Sequence, residues 1–224
     1  VEQAADRHLR DHMQRIFDCT PEVAASIGGR AAERSFPVRA TIVRQGDRPE
    51  ETYLMLAGRA HALLYGMDGQ LVMLHEFAAG DIFGAIDHQD PAPHESDIVA
   101  VEQVRAAVFL ALDFLHLIET HSCVGLAVSR MLLRQLRAAT GRMVERVTLS
   151  AAGRVHAELL RLARLGDGAT VRPAPVLAAL AVRIHSTRET VSRTISALER
   201  RGIVRREGDA LIIVAPHRLE EMVL

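Results

Sequence analysis

The sequence predicts an α+β protein: an N-terminal β jelly roll with flanking helices, one long helix, and a C-terminal winged helix-turn-helix. Three observations predict it. Short apolar alternations broken by glycine turns run over about residues 36 to 111. A seam of apolar residues at helical spacing then covers about 121 to 146, and two helical patterns, a tight turn and two short apolar strands close the chain. The divisions drawn from these patterns are 1–120, 121–148 and 149–224.

Residues 5 to 34 read as helical, with Thr20 as an N-cap, Pro21 at the first helical position and Glu22 near the positive end of the dipole. The texture changes after Phe36-Pro37. Strand-like runs follow, separated by turn signals at Gly46-Asp47, Ala57-Gly58, Met67-Asp68-Gly69 and Ala79-Gly80-Asp81, of which Asp68-Gly69 is a strong hairpin signal. Asp113 is placed to cap a short helix. In the long helix Val128, Leu132, Leu136, Ala139 and Met143 form a heptad-like seam flanked by Arg130, Arg134, Arg137, Arg142 and Glu145. A helix lying on its own barrel is one reading. The length and the arginines beside so narrow a seam favour a parallel homodimer. "AAGRVHAELLRLARL" opens the C-terminal region and ends at Gly166-Asp167-Gly168. "PVLAALAVRIH", a turn at Ser186, "TRETVSRTISALERRG", and the strands "IVRRE" and "ALIIV" joined at Gly208 complete the winged unit.

Composition narrows the functional classes. With 224 residues, 49% hydrophobic and 25% charged, the chain is ordinary for a globular protein with a real core. No run approaches the roughly 18 apolar residues of a membrane helix and no signal-peptide pattern opens the chain, so a cytoplasmic protein without membrane partners is expected. Two cysteines, Cys19 and Cys123, are too few for a disulfide framework, a four-thiolate zinc site or a four-cysteine iron–sulfur cluster, and each reads as a small buried hydrophobe. From Leu149 onward 12 Arg face 8 acids, a balance of +4, which leaves −5 on the rest given the net −1. A basic C-terminal third is compatible with nucleic-acid binding.

The stretch "HSTRETVSR", His185 to Arg193, carries the sharpest question. Val191, Ile195 and Leu198 form the apolar stripe of its helix, leaving Arg188, Glu189, Ser192 and Arg193 free to face outward. Ser186 and Glu189 fit a capping box, in which Glu189 would bond the N-cap backbone. At the start of a recognition helix the same residues suit base edges: Arg pairs with guanine O6 and N7, a carboxylate accepts from the cytosine amino group, and Thr187 and Ser192 suit phosphates or bases.

"LAVRIHSTRETVSRTISALERRGIV" closely resembles the helix-turn-helix of the bacterial CRP/FNR family, the cyclic-AMP receptor and fumarate–nitrate regulators. "ETYLMLAGRAHALLYGMDGQLVMLHEFAAGDIFGA" looks like that family's cyclic-nucleotide-binding jelly roll, and "SRMLLRQLRAATGRMVERV" sits where its dimerisation helix belongs. The resemblance implies a homodimeric regulator of transcription that binds double-stranded DNA. Arg188, Glu189 and Arg193 would be its base readers, RNA polymerase is an expected partner, and a signal at the pocket between jelly roll and long helix would reorient the recognition helices.

At that pocket the chain departs from the cyclic-AMP pattern. Family members that bind cyclic AMP carry G-E-L after the G-D-x-F turn and then R-S. Here Gly84 and Ser96 match, but Ala85 replaces the Glu and Glu95 replaces the Arg, while the long helix offers Ala139-Thr140 in place of Thr-Ser. Losing one charge-assisted bond removes about 1.5–3 kcal/mol, and inverting the charge removes more. The expectation is an effector other than cyclic AMP, or none at all. The FNR-type iron–sulfur cluster lacks its cysteines, and no metal site is expected. Some relatives bind haem, which His75, His88 and His94 leave open, although each reads first as an exposed or hydrogen-bonded histidine. His8 and His12 share a helical face without a third ligand. A cupin enzyme would want a His-x-His pair that His61 does not provide, and no P-loop, nucleophile elbow or HExxH is present, so no catalytic residue is assigned.

Overall fold

The computed structural model describes residues 2–48, 50–66, 71–86 and 92–223, the side chains from residue 7 onward. Its contacts divide the chain into two compact units, Val1–Arg137 and Ala138–Leu224.

The first unit opens with helices α1 (Glu2–Phe17) and α2 (Pro21–Gly28). Thr20 caps α2 as expected, accepting the Val23 N–H, with Pro21 at the helix start. Eight strands follow: β1 (Ala32–Phe36), β2 (Thr41–Val43), β3 (Glu51–Ala57), β4 (Ala60–Tyr65), β5 (Leu71–Phe77), β6 (Ile82–Gly84), β7 (Asp97–Ala100) and β8 (Val104–Leu110). They form two antiparallel four-stranded sheets, in the orders β1-β8-β3-β6 and β2-β7-β4-β5. β4 and β5 pair with Tyr65 opposite Leu71, as the hairpin signal at Asp68-Gly69 requires, although that turn itself lies outside the described residues.

Alternation on the central strands explains the layers. Tyr53, Met55, Ala106 and Val108 join Phe77, Phe83 and Ile98 in one core, where Tyr53 stacks on Phe83 at 5.1 Å. Their neighbours Leu54, Leu56, Ala107 and Phe109 point the other way, into a second core closed by helices. Those helices are α1, α2, α3 (Ala111–Thr120) and the start of the long α4 (Ser122–Thr148), which supply Met13, Phe17, Ile27, Phe114, Leu117, Val124, Val128 and Met131. Each such fully buried side chain stabilises the unit by about 1.5–3 kcal/mol.

Three expectations need correction here. Residues 32–34, read as helix, belong to β1, whose mostly exposed strand lacks an inward apolar face and is held by its ladder to β8. Asp113 does not cap α3; the helix starts at Ala111 and Asp113 sits in its first turn. Val128, placed on the dimer seam, is 5% exposed in the core of its own unit.

The second unit holds the C-terminal part of α4, then α5 (Ala151–Arg164), β9 (Thr170–Val171), α6 (Leu177–Arg183), α7 (Arg188–Arg200), β10 (Val204–Glu207), β11 (Ala210–Ile213) and α8 (Pro216–Glu221). Strands pair in the order β10-β11-β9, so β9 adds a third strand to the expected hairpin. Val155, Leu159, Leu180, Val191, Ile195, Leu198, Ile203 and Leu211 form its core. Within it Glu158 of α5 is 1% exposed and paired with Arg161 and with Arg183 Nε at 3.4 Å, which ties the end of α6 to α5. Among the described residues no single helix is long and apolar enough to cross a membrane.

Candidate nucleic-acid interface and effector site

Helix α7 begins one residue later than a Ser186 cap would allow. Thr187 is the N-cap: its Oγ1 accepts the Thr190 N–H at 3.2 Å, while the Ser186 N–H donates to Ala181 O at 2.9 Å and completes the preceding turn. Glu189 is therefore the second helical residue, and the S-x-x-E box does not form. Val191, Ile195 and Leu198, all at or below 1% exposure, seat the helix on the core. Thr187, Arg188, Glu189 and Arg193 are exposed on its first two turns, with Ser192 half-buried beside them. The Glu189 carboxyl is held below the usual range by its own backbone N–H and the Thr187 hydroxyl, with smaller help from Arg188 and Arg193. It is thus an anion at neutral pH, presented among cations at the positive end of a helix.

The turn between α6 and α7 is set by His185, which adopts φ 52. Arg154 of α5 reaches it, donating from Nε to Ile184 O and from Nη1 to Leu149 O, both at 3.0 Å. Burial lowers the His185 pKa, and Arg146, Arg154 and Arg142 lower it further. Neither His185 nor Arg154 was singled out as a positioning residue from sequence. A histidine is an uncommon left-handed turn residue, and Arg154 acts 30 residues away from its partner. In the wing, Arg206 pairs with Glu199 of α7 and Arg205 with Glu207, each at 2.8 Å.

At the expected effector site, Gly84 ends β6 with φ +97, and an added Cβ would lie 2.3 Å from Glu51 O. Ala85 is 4% exposed; its N–H donates to Glu51 O at 2.9 Å and its carbonyl accepts from the Thr52 hydroxyl. Its methyl offers no acceptor for a ribose hydroxyl. Glu95 is exposed and Ser96 half-buried just before β7, and Ala139 and Thr140 are exposed on the part of α4 in the second unit. Residues 87–91, with His88, lie outside the described residues. The residues present do not fit a cyclic-phosphate clamp of the cyclic-AMP type.

Sequence reasoning missed a cavity of about 230 Å³ lined by Asp47, Arg48, Glu50, Glu51, Tyr53 and His94 among others. Burial pushes the Glu51 carboxyl up, but bonds from Arg34, at 2.6 and 2.8 Å, and from the Tyr53 hydroxyl outweigh it and keep it ionised. Its acidic lining disfavours an anionic ligand. The histidines have other engagements: His75 packs edge-on against Phe77 at 4.5 Å, His61 bonds Glu76 at 2.8 Å, and His12 bonds the His8 carbonyl at 2.9 Å. Among the described residues no group of three or more His, Cys, Asp or Glu is placed to hold a metal ion. On α4, Leu132, Leu136 and Met143 are 47%, 64% and 69% exposed, and Ala139 is exposed between them.

Residues 33–121 match the cyclic nucleotide-binding domain family and residues 153–222 the Crp-like helix-turn-helix domain. A CRP-like cAMP-activated global transcriptional regulator of Mycobacterium tuberculosis is 27% identical over 205 residues, covering 89% of this chain and 91% of that protein. The structure of a CooA mutant from Carboxydothermus hydrogenoformans superposes with a TM-score of 0.78 at 16% identity, over 95% of both chains, which speaks to the fold. The cyclic AMP receptor protein of Thermus thermophilus is 32% identical over 173 residues, 77% of this chain and 79% of that protein. With that relationship, and with both domains matched, the chain belongs to the CRP/FNR family of DNA-binding transcription regulators.

Proposed function

We propose that the protein is a homodimeric, sequence-specific regulator whose α7 reads the major groove of double-stranded DNA through Arg188, Glu189 and Arg193, with Thr187 and Ser192 as phosphate or base contacts. One observation carries this reading. Thr187, not Glu189, accepts the Thr190 N–H at the helix start, and the ionised Glu189 carboxyl is exposed beside Arg188 and Arg193. A carboxylate there repels phosphates, so it favours a site with a cytosine amino group to donate to it. The exposed apolar residues Leu132, Leu136 and Met143 on α4 support a paired helix, and RNA polymerase is the partner such a regulator would engage.

Control is proposed to come from a signal other than cyclic AMP, although the Mycobacterium and Thermus relatives are named for that nucleotide. Ala85 and Glu95 stand where the ribose and phosphate partners would be needed. The deciding experiment is a binding series on randomised operator DNA with wild type, Arg188→Ala, Glu189→Ala and Arg193→Ala. Each variant should lose preference at one defined base position in each half-site, by roughly 5- to 150-fold, about 1–3 kcal/mol. Unchanged site preference in all three would overturn the assignment. Calorimetry with cyclic AMP should show no binding at micromolar concentration, and micromolar affinity would refute the reading of Ala85 and Glu95.

A further inference from the structure

A cleft of about 280 Å³ opens beside the recognition helix, within the second unit. Its floor is apolar, made by Ala152 of α5, Ala197 and Leu198 of α7, and Met222 just after α8. Two guanidiniums line it from positions about two turns apart on α7, Arg193 and the C-cap Arg201. No carboxylate is among the lining residues. The other polar side chains there have already spent their donors. His156, 5% exposed, gives its Nδ1–H to Met222 O at 3.0 Å, and burial keeps its ring neutral. The Thr194 hydroxyl donates to Thr190 O at 2.8 Å. In the wing, Arg205 and Arg206 are each paired with a carboxylate, whereas Arg193 and Arg201 make no ion pair among the described residues.

We propose that this cleft binds a small carboxylate with an apolar body, gripped by Arg193 and Arg201 over the apolar floor, and that its binding withdraws Arg193 from DNA. The volume falls below the roughly 300–1,000 Å³ of pockets for drug-sized ligands, so the occupant is smaller than a nucleotide. With both guanidiniums as the donors left to it, the cleft selects an anion, and their planar forks match a carboxylate. A bare inorganic anion would lose hydration against Ala152, Ala197, Leu198 and Met222 and gain nothing there, whereas an aryl or branched alkyl body buries its own apolar surface on them. The effect on DNA rests on the reading of Arg193 as a base reader. One guanidinium cannot hold a carboxylate and a guanine edge at the same time, so ligand and operator compete for it.

The test is calorimetry on the full-length protein without DNA, at constant ionic strength, with benzoate as the probe. Benzoate should bind with a Kd of about 0.1–1 mM, while benzamide, which lacks the charge, and acetate, which lacks the apolar body, should bind roughly tenfold more weakly or not at all. Arg201→Ala should weaken benzoate binding roughly tenfold. Ala197→Leu, which fills the cleft from an exposed helix face and keeps a strong helix former, should abolish it with circular dichroism unchanged. Saturating benzoate should then weaken operator binding by wild type roughly 5- to 150-fold, the share assigned to Arg193, and leave Ala197→Leu unaffected. No binding at 10 mM benzoate, equal binding of benzamide, or unaltered affinity in both variants would overturn the site. Binding without loss of operator affinity would overturn the competition if Arg193→Ala shifts base preference. If Arg193→Ala shifts none, the base-reader assignment fails instead, and the DNA-free calorimetry still decides the cleft.

Discussion

Thr187 accepts the backbone N–H of Thr190 at 3.2 Å, and this bond starts helix α7 with Glu189 in its second position. Removing the acceptor exposes an unpaired amide at the helix start. Thr187→Ala is expected to lower unfolding free energy by about 1 kcal/mol, and Thr187→Ser to restore most of it. Ser186→Ala should change stability far less, because only its backbone is engaged in the turn. Glu189→Ala should leave the melting curve nearly in place while changing base preference. Urea denaturation of the four variants separates capping from reading.

The offset between Ser186 and Thr187 shows where sequence patterns stop. Short apolar runs located β3 and β8, because both of their faces are buried, and helical spacing located α7 through Val191, Ile195 and Leu198. The cap slipped by one because His185 supplies the left-handed residue, a task a reader assigns to glycine or asparagine. β9 has two residues and α8 six, too few for any period to emerge. β1 was misread since its contribution is made by pairs, Arg34 to Glu51 and Glu33 to Arg105, whose partners lie 17 and 72 residues away. The outward residues of α7 were legible because a helix face needs no distant partner to define it.

Gly84 and Gly80 form a matched pair for testing the β6 junction. Both have positive φ, +97 and +89, but an added Cβ at Gly84 meets Glu51 O at 2.3 Å, whereas at Gly80 nothing lies within 4 Å. Gly80→Ala should cost the backbone strain alone, about 1–2 kcal/mol. Gly84→Ala must also displace β3 next to Thr52 and Ala85, and should lower stability by clearly more than Gly80→Ala in the same denaturant series.

Glu158, 1% exposed, and Arg183, 14% exposed on its side chain, couple α5 to α6. Glu158→Ala removes the buried carboxylate that Arg161 and Arg183 both face and should destabilise the protein by about 3–5 kcal/mol. The double replacement Glu158→Leu with Arg183→Met removes both charges and refills the volume. It should recover much of that loss in a double-mutant cycle; additive losses would show that the pair is not coupled.

Exposed apolar residues on α4 make dimerisation testable without DNA. Leu136, 64% exposed in the single chain, gains nothing from its own fold. Leu136→Glu should therefore leave the monomer folded, with unchanged circular dichroism, while light scattering shows the mass halved from that of wild type. A wild-type protein that is already monomeric at micromolar concentration would sink the homodimer.

Three histidines set the response to mild acid. His94, His156 and His185 have pKa values below the ordinary 6.5, each chiefly through burial; at His156 the Nδ1–H bond to Met222 O at 3.0 Å pulls the other way and is outweighed. A lowered pKa means the unfolded chain binds the proton first. Their stabilisation is full above about pH 6.5 and is lost as pH falls through that value toward the folded pKa, at most about 1.4 kcal/mol per pH unit for each. Carboxylates with lowered values, Glu51 and Asp167, begin from 4.5 and 3.8 and act only at stronger acidity. Melting temperature should thus hold steady from pH 8 to 7 and decline between about 6.5 and 5. His156→Gln keeps a donor for Met222 O and cannot titrate, so it should flatten part of that decline; an unchanged slope would mean His156 takes no part in it.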